Sequence, residues 1–191
     1  SRSATRSPSK SDESGSEEIE HARLSFALAH AFDPTGNYFR PTAFDEHTVT
    51  VSADLTAICL ETARHGCVDE AISSLSAAQE HSVEEDATVK GVLSTIIEDE
   101  STQAVLAWDT LRWCVEQTNE SELESFKQMV SEAMLKQTKE RLMREPASLR
   151  GVSEAMIDAL SRRIGLPSPF HDQRMHMSFL FTSFISLLVL L

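Results

Sequence analysis

The chain has 191 residues, 41% of them hydrophobic, enough for one domain with a buried core plus flanking segments. Thirty acidic residues against 17 basic ones leave a formal charge of −13. That argues against a nucleic-acid partner, because neutralising phosphates takes clustered Lys and Arg. Six glycines and six prolines are few for this length, so long uninterrupted helices are expected, and no strand alternation is visible.

Residues 1–16 are rich in serine and carry no large apolar side chain. Such a segment gains too little from burial to offset its ordering entropy and is expected to be disordered. A first helix is predicted over 17–32, with Ser14 and Glu17 at capping-box spacing and Asp33-Pro34-Thr35-Gly36 as the stop. Its inward stripe reads Glu18, His21, Ala22, Ser25, Leu28, Ala29 and Phe32. Residues 33–52, with Tyr38, Phe39 and Phe44, form a connection long enough to run the length of a bundle.

A second helix is predicted over 53–80, with Leu55, Cys59, Thr62, Gly66, Glu70, Ser73 and Ala77 on its face. Ser82 and Glu85 suggest a cap for a third helix reaching Gln117. Along that helix Glu100 and Gln103 interrupt an apolar stripe of Leu93, Ile96, Ile97, Ala104, Ala107, Leu111 and Cys114. A fourth helix, capped by Ser121 and Glu124, should end before Pro146. A fifth should run over 153–164 and close at Gly165 and Pro167.

The last segment, Met175 to Leu191, has no charged side chain. Seventeen helical residues span about 25 Å against a hydrocarbon core of about 30 Å, which is short for a tail anchor. A packing or interfacial role is the expected reading, with membrane association as the alternative. Cys59, Cys67 and Cys114 form no C-x-x-C pair. Cys59 and Cys67 would sit about 12 Å apart on one helix, too far for a disulfide. They read as reduced core cysteines of an intracellular, cytoplasmic protein, with a tail-anchored location as the alternative.

The chemistry lies in acidic side chains placed on helical faces. Glu18 and His21 stand one turn apart, an arrangement that puts two ligand groups side by side. Glu70 and Glu100 are nearly equidistant from the turn near Glu84-Glu85. In an antiparallel hairpin they come to the same height, about 22 Å from the bend, facing each other across the interior. Two unpaired carboxylates there are costly unless they share protons or a cation. One imidazole and several carboxylates suit iron or manganese better than a thiolate-preferring metal. Trp108 and Trp113 read as core, and His65, His81 and His171 as surface residues without partners at ligand spacing.

Three motifs in this order are familiar: Glu17-Glu18-Ile19-Glu20-His21-Ala22, then Gly66-Cys67-Val68-Asp69-Glu70, then Asp99-Glu100 through Leu106-Ala107-Trp108. Together they resemble the ferritin-like di-iron-carboxylate proteins of bacterial type, with D-E-x-x-H-A, G-C-x-x-E and D-E-x-x-H-A-x-L-A-W elements. The resemblance implies an all-α, ferritin-like antiparallel bundle with its core over 17–118, accessory helices over 119–165 and an apolar tail over 166–191. It implies iron, with manganese as the alternative, held by Glu18, His21, Glu70 and Glu100. Asp99 would stand behind an imidazole and orient it. Gln103 replaces the second histidine of the pattern, and nothing before Glu17 matches the family's preceding helix with its further Glu. The resulting expectation is a partial, degenerate di-iron site of O2-dependent oxidase or hydroxylase ancestry. The alternative is a metal-free helical interaction or scaffold protein. The helix from Ser121 to Glu145 would take the vacant fourth position, or else a second copy or a partner helix would complete the bundle.

Overall fold

Two long antiparallel rods organise the molecule. The first is a continuous helical run made of α2 (Leu55–Glu61), a π-helical segment (Thr62–Asp69) and α3 (Glu70–Val83). The second rod is α4 (Ala87–Gln117). The computed structural model describes residues 10–35 and 54–170. Every regular element among them is helical: α1 (Lys10–Phe32) precedes the rods, and α5 (Leu123–Leu142) and α6 (Ala147–Arg163) follow. The described residues are therefore all-α, as the periodicity indicates. The aromatic connection with Tyr38, Phe39 and Phe44, His171 and the apolar tail lie outside the described residues. No described helix is long and apolar enough to cross a membrane.

Side-chain caps fix where the rods begin. Asp54 accepts from the backbone N–H groups of Thr56 and Ala57, both at 3.3 Å. Asp86 does the same for Thr88 and Val89 at 2.7 and 3.1 Å. Each cap of this kind contributes about 1 kcal/mol. The capping boxes read from the sequence are not used. Ser82 donates back to the Gln79 carbonyl at 2.7 Å, and α5 opens at Glu122 rather than Ser121. Ser14 and Glu17 lie inside α1, which starts at Lys10, so residues 10–16 are helical rather than part of a disordered tail. Extending an existing helix costs far less than nucleating one, and no proline intervenes after Pro8. The last helix starts directly after Pro146, six residues earlier than expected. Its close is as expected: Gly165 has φ +77°, and Leu166 N–H bonds to Ser161 O at 3.0 Å.

The core lies between the rods and the last two helices. Val68, Ile72, Leu111, Val130, Met134 and Ile157 are fully buried there, as are Cys59, Cys67 and Cys114, all three of which are free thiols. Burial raises the Cys59 and Cys67 thiols well above their ordinary range. Helices α5 and α6 thus build the core rather than accompany it. Trp108 is buried as expected, but Trp113 is 53% exposed. It falls five residues later, a half-turn off the inward face.

The π-helical segment departs from the single α-helix expected over 53–80. Its hydrogen bonds reach five residues back, as where Glu70 N–H meets His65 O, so each turn holds an extra residue and the inward face changes phase. Ala63, Cys67 and Val68 are buried there, while Thr62 and Gly66 are half-buried. Gly66 has a specific reason to be glycine. A Cβ built on it would lie 2.5 Å from the Cβ of Ala107 on α4. Gly66→Ala should therefore push the rods apart and destabilise the fold by about 1–3 kcal/mol, measured by denaturant unfolding. Ala107→Gly in the same chain should recover part of that loss.

Candidate metal centre between α1 and α4

Helix α1 packs chiefly on α4, and both polar and apolar side chains lie on its inward face. The inward face is rotated from the expected stripe. His21 is buried, and Glu17, Leu24 and Leu28 are half-buried. Ala22, Ser25, Ala29 and Phe32 face outward, and Glu18 keeps 55% of its side chain exposed. The rotation turns the imidazole of His21 directly onto α4, with Glu18 at the edge.

The His21 ring is held from behind. Its Nε2 lies 2.9 Å from Asp99 Oδ2, so a neutral imidazole donating there leaves the lone pair of Nδ1 facing the opposite way. Nδ1 is 3.4 Å from Glu100 Oε1 and 3.7 Å from Glu18 Oε1. It is buried and has no hydrogen-bond partner, and neither does Glu100 Oε2. The Nδ1 of His21 and the carboxyl oxygens of Glu100 and Glu18 thus converge on one point.

Glu100 is the group under most stress. It is 7% exposed. Its carboxyl is pushed up to about 9, first by burial, then by the hydrogen bond to the carboxyl of Glu70 and the negative charges of Glu70, Glu18 and Asp99. Two carboxyls attract each other only when one keeps its proton. The facing of Glu70 and Glu100 read from the hairpin is what the structure contains. One level further along, Ser74 and Ser101 share a buried hydrogen bond of 2.8 Å.

The ligand atoms of Glu18, His21 and Glu100 all lie within 4.8 Å of one another. Ligands at about 2.0–2.2 Å from a cation stand at most about 4.4 Å apart, so slight carboxylate rotations would close the cluster around one. Glu70 is outside this trio and touches it through Glu100. Gln103 donates to Glu17 Oε2 at 3.0 Å and is thereby satisfied. Glu17, its partner, reads from the sequence only as a capping residue, although it precedes Glu18 in the first motif. His65 also has partners the sequence reading passed over. Glu61 and Asp69 lie four residues away on either side, at 3.3 and 2.9 Å, on an exposed face.

Compared with described protein families, with curated proteins and with solved structures, the chain matches none.

The state of Glu100 has a measurable consequence. The folded chain keeps this proton up to about pH 9, whereas an unfolded chain releases it near the ordinary carboxyl value of 4.5. The folded state therefore binds more protons between those limits. Stability is fully present below the lower limit and is lost as pH rises through the upper one. The melting temperature of chelator-treated protein should fall from about pH 5 to about pH 9. Glu100→Gln, which cannot ionise, should flatten that slope.

Proposed function

We propose that this chain is a ferritin-like helical bundle whose remaining carboxylate site holds a single divalent cation, iron or manganese, between α1 and α4. One observation carries the reading: the unpartnered Nδ1 of His21 meets the oxygens of Glu18 and Glu100 while Asp99 holds the ring from behind. A buried lone pair aimed at two carboxyl groups is repulsive unless a proton or a cation stands between them, and a cation satisfies all three at once. The donor set, one imidazole nitrogen with carboxylate oxygens, suits iron or manganese.

Each residue then has a distinct part. Glu18, His21 and Glu100 are the ligands. Asp99 fixes the imidazole tautomer, so that Nδ1 keeps its lone pair. Glu70 stands beside Glu100 and reaches the site only through it. Gln103, bonded to Glu17, leaves the second ligand set of a two-metal centre unbuilt. A bound cation of this class supplies Lewis acidity and, if iron or manganese, one-electron chemistry toward dioxygen.

A metal-free interaction module is the second reading, favoured by the apolar side chains that α1 leaves outward: Ile19 is 73% exposed, Phe26 39% and Phe32 64%. Elemental analysis of protein purified from iron- and manganese-supplemented medium separates the two. The metal reading requires about one cation per chain, with affinity falling as pH drops, because ligands must release protons. His21→Ala should abolish binding, and Asp99→Asn should weaken it by about 10–100-fold. Content of no more than a few tenths per chain would sink the metal reading and favour the second.

A further inference from the structure

A cavity of about 220 Å³ opens where α3, α4 and α6 meet. Its walls are Ala104 and Trp108 from α4, opposite Met156 and Leu160 from α6, and its mouth carries Arg112 and Arg163. Trp108 is 6% exposed, and its indole Nε1 is buried without a hydrogen-bond partner. Arg112 gives one edge of its guanidinium to Asp109 in an exposed pair. Arg163 is absent from the arginine ion pairs formed among the described residues.

We infer that this cavity is a binding site for a small amphipathic carboxylate. Ala104, Trp108 and Arg112 follow one another at four-residue spacing, a ladder along one face of α4 from small, to aromatic, to cationic. The headgroup lies at the upper end of this ladder, where one carboxylate can meet the exposed guanidinium edges of Arg112 and Arg163. The apolar body lies at the lower end, between Ala104, Met156 and Leu160, and supplies the contacts that the cavity walls lack.

Size and charge narrow the class. An apolar cavity of about 150 Å³ takes benzene, so this volume takes about nine non-hydrogen atoms, close to an eight-carbon acid. On a chain of charge −13, Arg112 and Arg163 against the single acid Asp109 leave a local excess of one positive charge in the lining, which favours an anion. A planar guanidinium fits a carboxylate edge to edge. Asp109, also on the rim, opposes a more highly charged headgroup. None of this requires a bound metal, so the inference stands or falls separately from the proposed function.

The chain has two tryptophans, so a Trp113→Phe variant leaves Trp108 as the sole emitter. Titrating this variant with octanoate should give a saturable change in Trp108 emission, the same with and without a chelator. Octanol should bind about tenfold more weakly, for want of charge-assisted hydrogen bonds. Arg163→Ala and Arg112→Ala, at exposed positions, should each weaken octanoate by about tenfold while leaving the helical circular dichroism unchanged. Three results would overturn the inference: no saturable response, octanol binding as tightly as octanoate, or arginine variants that bind like the parent.

Discussion

The closeness of Gly66 to Ala107 governs the rest of the molecule. Because neither rod carries a large side chain at that point, their backbones approach until a single added methyl would collide. That approach sets the register of the antiparallel pair. The same register sets Glu70 against Glu100 and Ser74 against Ser101, so the burial of charge follows from the burial of the small residues. Polar groups then sit in the interior at a height decided by packing, and the surrounding chemistry adjusts to them.

Helix α1 is where that adjustment shows. Its outward side carries Ile19, Phe26 and Phe32, while its inward side meets α4 through His21, Glu17 and the Asp99–Gln103 stretch. Apolar burial supplies most of the adhesion between helices in a water-soluble bundle. Along this contact, hydrogen bonds and carboxyl–imidazole contacts accompany Leu24 and Leu28. The arrangement is sensitive to geometry: a ring turned by half a revolution would exchange the nitrogen facing Asp99 with the one facing Glu100.

Much of this was legible in the sequence, and the reasons differ by element. Long runs without proline or glycine announced the helices, and equal distances from a turn announced the meeting of Glu70 and Glu100. The pairing of Asp99 with a histidine came only through the family resemblance, because Asp99 and His21 are 78 residues apart and nothing local links them. The rotation of α1 was not legible. Its expected stripe was a helical row starting at Glu18, whereas the buried face centres on His21 with Glu17, Leu24 and Leu28 beside it. The π-helical segment was hidden for a similar reason, since the choice between hydrogen bonds four or five residues back depends on what presses against the backbone. The exposure of Trp113 shows the same limit. Size and hydrophobicity pointed inward, and position on the helix decided otherwise.

The π-helical segment also sets where two neighbouring acids point. Asp69 and Glu70 are neighbours in the chain, yet they serve different clients. Asp69 accepts from Gln137 of α5 at 2.8 Å and lies 2.9 Å from His65, while Glu70 turns to Glu100. A widened coil between them and the start of the rod dials both headings at once. Excising one residue from that coil would act as a slipped gear tooth. Everything beyond it would swing about a quarter-turn, and the two acids would lose their separate addresses together.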